Sequence, residues 1–224
     1  MRTWSLCGQK GGCGKSTVAT GLGVRAEEAG EMVLILDLDP QLSATLWHSQ
    51  RGTNKPLVLD AQVDKLSEVL QSAATLGVTL CLIDSPSKLD STALAAIRVA
   101  EQIVCPTLPD LFNLGSLQDT VRLLEGAEKL DAAVGLINNV DEVGAEPKIA
   151  QAKEALASFN LAVCPVVIHH RPQFQTAIEQ GKGVTELGAR GKKAAEEIDA
   201  LWQYLDRRAK QQTKKAKSRE TAKS

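Results

Sequence analysis

Ten residues near the start of the chain carry its clearest chemistry: Gly8-Gln9-Lys10-Gly11-Gly12-Cys13-Gly14-Lys15-Ser16-Thr17. Glycines at this density let backbone N–H groups turn inward on an anion. A helix opening behind them would add its positive end. With Gly8 read as the leading glycine, the run follows the phosphate-loop pattern G-x-x-x-x-G-K-[ST] and predicts a nucleoside triphosphate as ligand. In such a loop the Lys15 ammonium reaches the β and γ phosphates, and the Ser16 hydroxyl ligates Mg²⁺. Cys13 sits at a variable loop position and reads as a small residue rather than a reactive thiol.

Acids at strand ends fit the same chemistry. Leu80-Cys81-Leu82-Ile83 is an apolar run closed by Asp84, the arrangement in which a carboxylate holds Mg²⁺ through its water shell. A second run, Met32 to Leu38, carries Asp37 and then Asp39. One of these carboxylates is expected to serve the metal shell and the other to face an attacking water. His169-His170 is a pair without a Cys/His set at ligand spacing. It reads as surface or nucleotide-loop residues. Trp47 and Trp202 read as packing residues.

Positioning such groups takes a sheet. Six short apolar runs (Thr3 to Cys7, Met32 to Leu38, Val78 to Ile83, Ile103 to Cys105, Ala133 to Ile137, Ala162 to Ile168) lack polar alternation, as strands buried on both faces do. Between them lie helical stripes: Leu66, Val69 and Leu70; Leu117, Val121 and Leu124; Ile149, Ala152 and Leu156; Ile198, Leu201, Trp202 and Leu205. Strand–helix alternation predicts an α/β fold, a mostly parallel twisted sheet with helices on both faces. One such domain over 1–205 is expected, followed by a basic, flexible tail over 206–224.

Composition narrows the class. Of 224 residues, 43% are hydrophobic, enough for a core, and the net charge of −1 excludes a polycation that coats nucleic acid along its whole body. Residues 206–224 hold eight Lys or Arg against two acids, a net +6, which leaves −7 on the other 205. Such a tail serves either solubility or nucleic-acid contact. Aromatics at 3% argue against a base-stacking, single-strand binder. Five cysteines, an odd number mostly in apolar runs, read as reduced thiols of a cytosolic protein. No signal peptide and no transmembrane run is expected.

The lysine at position 10 adds a family resemblance. Lys10-Gly11-Gly12-Cys13-Gly14-Lys15-Ser16-Thr17 resembles the deviant Walker A motif KGGxGK[ST][ST] of the ParA/MinD superfamily of P-loop ATPases. Asp37-Leu38-Asp39-Pro40-Gln41 is similar to that family's switch I, and Ile83-Asp84-Ser85-Pro86 to its Walker B and switch II. Pro106 to Asp110 with Leu114-Gly115, and Ile168 to Arg171, are similar to later segments of small ParA proteins. The resemblance implies ATP and Mg²⁺ as cofactors. Lys10 would contact the nucleotide of the partner subunit and Lys15 that of its own, while Thr17 would bond the α phosphate. Asp39 would position the hydrolytic water, Asp37 and Asp84 would serve the metal, and Asn138 or Asn139 would lie near the base. Asn138-Asn139-Val140-Asp141 resembles the guanine-reading N-K-x-D but lacks its lysine, and ATP is favoured over GTP. Departures are Gly8 where many relatives have Asn, Ser16 for the commoner Thr, and Ser85.

The cycle so implied is an ATP-dependent homodimer that binds DNA without sequence preference on the nucleoid, with hydrolysis stimulated by a ParB-type partner. Candidate DNA contacts are Arg171, Lys192, Lys193, Arg207 and Arg208. DNA partition is the first expectation, and positioning of a protein cargo such as a conjugation or secretion assembly the alternative. A MinD-type membrane cycler is disfavoured because 206–224 has no large apolar residue. A nitrogenase-reductase-like enzyme is disfavoured for want of paired cluster cysteines.

Overall fold

The computed structural model describes residues 1–109 and 114–221, with side chains through 214 except that of Leu114. Asp110, Lys223 and the side chains of Leu114, Lys215, Lys217 and Arg219 lie outside the described residues.

The strands are β1 (Arg2–Leu6), β2 (Val33–Asp37), β3 (Leu57–Asp60), β4 (Leu80–Asp84), β5 (Gln102–Thr107), β6 (Ala133–Val140) and β7 (Ala162–His169). They form one sheet in the order β3-β2-β4-β1-β5-β6-β7, and every pairing in it is parallel. The helices are α1 (Lys15–Glu28), α2 (Ser43–Ser49), α3 (Leu66–Thr75), α4 (Ser91–Val99), α5 (Leu114–Gly126), α6 (Glu146–Ser158), α7 (Pro172–Glu179) and α8 (Lys192–Thr221). One apolar layer joins the sheet to α1, α2, α7 and α8. Two further layers join its other face to α3, α4, α5 and α6. This is the expected α/β architecture, and all six apolar runs form strands.

Every residue of β2 and β4 is buried, which explains why these strands are unbroken apolar runs. Register brings their last residues together: Asp37 pairs with Asp84, and Asp84 with Leu6 of β1. Strand order reverses at β1, the place where open α/β sheets bind ligands at their carboxyl ends.

Sequence patterning did not foresee β3, α2, α4 or α7. β3 is a four-residue edge strand with Leu57 and Leu59 both open to solvent, so no closed apolar run marks it. The three helices span seven to nine residues, too short to repeat a stripe. The expected break at 205 is also absent, because α8 runs through it. Leu205 and Ala209 are buried in the core. Between them Arg208 donates to the carbonyls of Asp131, Ala132 and Ala133 at 2.8–3.0 Å. The packed body therefore extends past the first basic residues of the tail.

Candidate nucleotide site

The loop between β1 and α1 turns at Gly12 (φ 74°) and Gly14 (φ 92°), both in the left-handed region that glycine favours. Gly14 is doubly required, since a Cβ there would stand 2.3 Å from Asn138 Nδ2. That amide, buried at the end of β6, donates to the Cys13 carbonyl at 2.6 Å. Asn138 thus braces the loop. Gly14 caps α1 without a side-chain acceptor, and the first turn holds no acid, so the leading N–H groups remain available to an anion. Gly8 is not the leading glycine of the strict pattern. Five residues separate it from Gly14 instead of four, and Gln9 holds that place. The loop matches the KGGxGK form alone.

Lys15 is 5% exposed, and its Nζ donates to Ser87 Oγ at 3.0 Å. Ser87 lies just beyond β4, next to the segment similar to switch II, and nothing in its spacing marks it. A phosphate that captures Lys15 has to displace this contact. Ser87→Ala is therefore expected to tighten nucleotide binding about threefold to tenfold, the worth of one charge-assisted hydrogen bond. Titration calorimetry showing equal or weaker binding would count against the latch.

Asp84 is fully buried, and neither of its carboxylate oxygens receives a hydrogen bond of proper geometry. Burial pushes its pKa up to about 7; Ser16 and Lys15 pull it down, and Asp37 and Asp39 push it further up. Asp37, also buried, is better served: Oδ1 accepts from the Asp39 N–H at 3.2 Å and Oδ2 from the Thr45 N–H at 2.9 Å. Burial still raises its pKa. β2 ends at Asp37, so Asp39 is set apart from it by the turn; a continued strand would have put the two on one face. Asp39 sits half-exposed in a turn and accepts from the Gln41 N–H at 2.9 Å. A buried, unpartnered carboxylate is costly unless a cation compensates it. The orphaned oxygens of Asp84, facing Ser16 and abreast of Asp37, fit Mg²⁺. The ion would neutralise phosphate charge there. No group of three or more His, Cys, Asp or Glu forms a separate metal site among the described residues.

Beside the loop opens a cavity of about 310 Å³ lined by Gly12, Thr17, Asn138, Asn139, His170 and Arg171 among others. It suits a nucleoside. His170 Nδ1 bonds Asn139 Oδ1 at 2.8 Å, and both histidines line this cavity. Arg171 departs from the expected DNA role. Its guanidinium is held by Glu197 at 2.7 Å and Glu142 at 3.1 Å and is 11% exposed. Arg208 departs likewise, being committed to the carbonyls above. Lys193 pairs with Glu142 at 2.7 Å, and Lys192 and Arg207 are exposed. Glu142 and Glu197, on a loop and on α8, carried no sequence signal. Trp47 and Trp202 are buried packing residues, the latter 5.5 Å from Trp4. All five cysteines are buried and free. No helix among the described residues is long and apolar enough to cross a membrane.

A parallel sheet with a glycine loop after its central strand and two acids on adjacent strand ends is a P-loop nucleotide-binding fold. Residues 4–184 match the CobQ/CobB/MinD/ParA nucleotide binding domain, and the chain belongs to that family, within the ParA/MinD superfamily. The "Maintenance of carboxysome distribution protein A" of Gloeobacter kilaueensis is 32% identical over 210 residues, covering 90% of this chain and 95% of that protein. Two solved structures share the fold. The MinC:MinD cell division complex of Aquifex aeolicus matches with TM-score 0.77 at 15% identity, covering 92% of this chain and 96% of that one. The ATP complex of a Cyanothece McdA variant matches with TM-score 0.69 at 19% identity and the same coverage.

Proposed function

We propose that this chain is a Mg²⁺-dependent ATPase that positions a protein cargo, cycling between an ATP-bound homodimer on DNA and a dissociated ADP or nucleotide-free form. One observation carries the choice of cargo over DNA partition. The likeness to a protein named for carboxysome distribution runs through 95% of that protein's length. In this reading Lys15 and Thr17 hold the phosphates, Ser16, Asp84 and Asp37 serve the metal, Asp39 orients water, and Lys10 reaches the partner's nucleotide. Hydrolysis is stimulated by a cargo-side adaptor protein, which takes the place of the ParB-type partner expected at first.

Deleting the gene is expected to cluster a protein assembly in the cell while plasmids and chromosomes are inherited normally. Plasmid loss with evenly spaced cargo would restore the partition reading.

DNA contact in this reading uses the exposed lysines of α8. Since Arg208 and Ala209 belong to the packed body, the informative truncation removes 214–224 and leaves the core intact. It is expected to weaken DNA binding of the ATP form about tenfold at 0.1 M salt and to flatten its salt dependence. Unchanged affinity in a filter-binding assay would remove the tail from the mechanism.

A further inference from the structure

Three of the five thiols meet beneath the phosphate loop. Cys7 leaves β1 with its N–H on the Val104 carbonyl at 2.9 Å, which places it abreast of Cys105 on β5, since Leu6 pairs with Val104. Cys13 Sγ lies 3.6 Å from where a Cβ at Gly8 would stand. Cys13 and Cys105, with Gly8 and Pro106, line a cavity of about 10 Å³, room for one water-sized molecule. Cys81 and Cys164 lie apart in other core layers.

We propose that Cys13 and Cys105 are joined in a reversible disulfide when a peroxide enters this cavity, and that the bond closes the loop to nucleotide. The proposal rests on the nucleotide-site reading above. Cys13 attacks one peroxide oxygen: an S–O bond forms, the O–O bond breaks and water leaves. Cys105 then attacks that sulfur: an S–S bond forms, the S–O bond breaks, and a second water leaves with the thiol proton. Two thiols lose two electrons and the peroxide gains them.

Geometry selects the pair. A disulfide wants its Cβ atoms about 3.8 Å apart, whereas Cys7, tied to Val104 just past β1, and Cys105 on β5 are held at the spacing of neighbouring strands, about 4.8 Å. Cys13 sits on a glycine loop that can close the gap. Burial raises all three thiol pKa values, so free peroxide reacts slowly, and the cavity, lined by Cys13 and Cys105 and with room for one oxygen of a peroxide, favours this pair. Drawing Cys13 toward β5 pulls its carbonyl off Asn138 Nδ2, now at 2.6 Å, and carries Gly14 and Lys15 with it.

The test treats the reduced full chain with hydrogen peroxide and measures binding of a fluorescent ATP analogue. Peptide mapping is expected to find Cys13 joined to Cys105, with affinity lowered roughly tenfold, as for a lost loop-bracing hydrogen bond, and restored by dithiothreitol. Cys105→Ser is expected to bind like the parent and to keep its affinity under peroxide. Absence of the disulfide, a Cys13–Cys7 bond instead, or equal loss in Cys105→Ser overturns the proposal. Should that variant not fold, mapping on the parent decides. If the reduced protein binds no nucleotide, the site reading fails, while the mapped disulfide still judges the thiol pair.

Discussion

Replacing Lys10 with alanine is expected to abolish ATP-dependent dimers while leaving nucleotide binding by the monomer largely intact. The two lysines of the loop lie in different settings. Lys15 is buried beside Asp84 and Ser87 at the head of α1, placed for a nucleotide held by its own loop. Lys10 is exposed on the outer turn with Gly11 and Gly12. Two ammonium groups five residues apart serve one triphosphate best when one of them comes from a second copy, because ATP then neutralises charge across the joint. A ligand that prefers the dimer shifts the equilibrium toward it. By two-fold symmetry the substitution removes two such contacts per dimer. Each is worth about 1.5–3 kcal/mol, so association with ATP should weaken at least about 100-fold. Lys15→Ala provides the contrast, since it should lose nucleotide and dimer together. Sedimentation velocity with ATP and Mg²⁺ separates the two. Dimers of Lys10→Ala as abundant as those of the parent would remove the shared-nucleotide account.

The parts of this molecule legible in its sequence share one property: their signal is local and repeated. Buried parallel strands such as β2 and β4 must be apolar on both faces, and so they stand out as runs. The phosphate loop must combine glycine, lysine and hydroxyl within a few residues, because backbone and side chains act on one small anion. What stays hidden depends on distant partners. Ser87 matters because Lys15 lies 72 positions away in sequence and 3.0 Å away in space. Arg171 looks like any surface arginine until Glu197 and Glu142 are folded against it. Arg208 looks like part of a solvated tail because the carbonyls that bind it come from a turn some 75 residues earlier. Charge counting along a sequence cannot tell an exposed cation from one that clamps a helix.

Asp84→Asn should separate stability from function in opposite directions. The Asp84 carboxyl is buried without a hydrogen-bond partner, and its pKa rises from 3.8 to about 7 on folding, chiefly by burial. A raised carboxylate contributes stability that is fully present below pH 4 and is lost as pH climbs through 7. Between those limits the unfolded chain has released its proton while the folded one retains it. The loss at pH 8 is at most about 4 kcal/mol. Asparagine keeps the shape and removes the ionisation. In EDTA and without nucleotide, the Asp84→Asn variant should therefore melt higher than the parent at pH 8, with the gap closing toward pH 5. Mg²⁺ should raise the melting temperature of the parent with ATP present and leave the variant little changed, since a cation compensates only a charged site. Hydrolysis by the variant should fall about 1,000-fold or more, because the metal that neutralises the transferring phosphate loses its anchor. Calorimetric melts at pH 5 and pH 8, with and without Mg²⁺, test the first two outcomes, and phosphate release tests the third. Equal melting temperatures at pH 8 would show that Asp84 is compensated without metal, and its orphaned oxygens would then no longer mark the cation site.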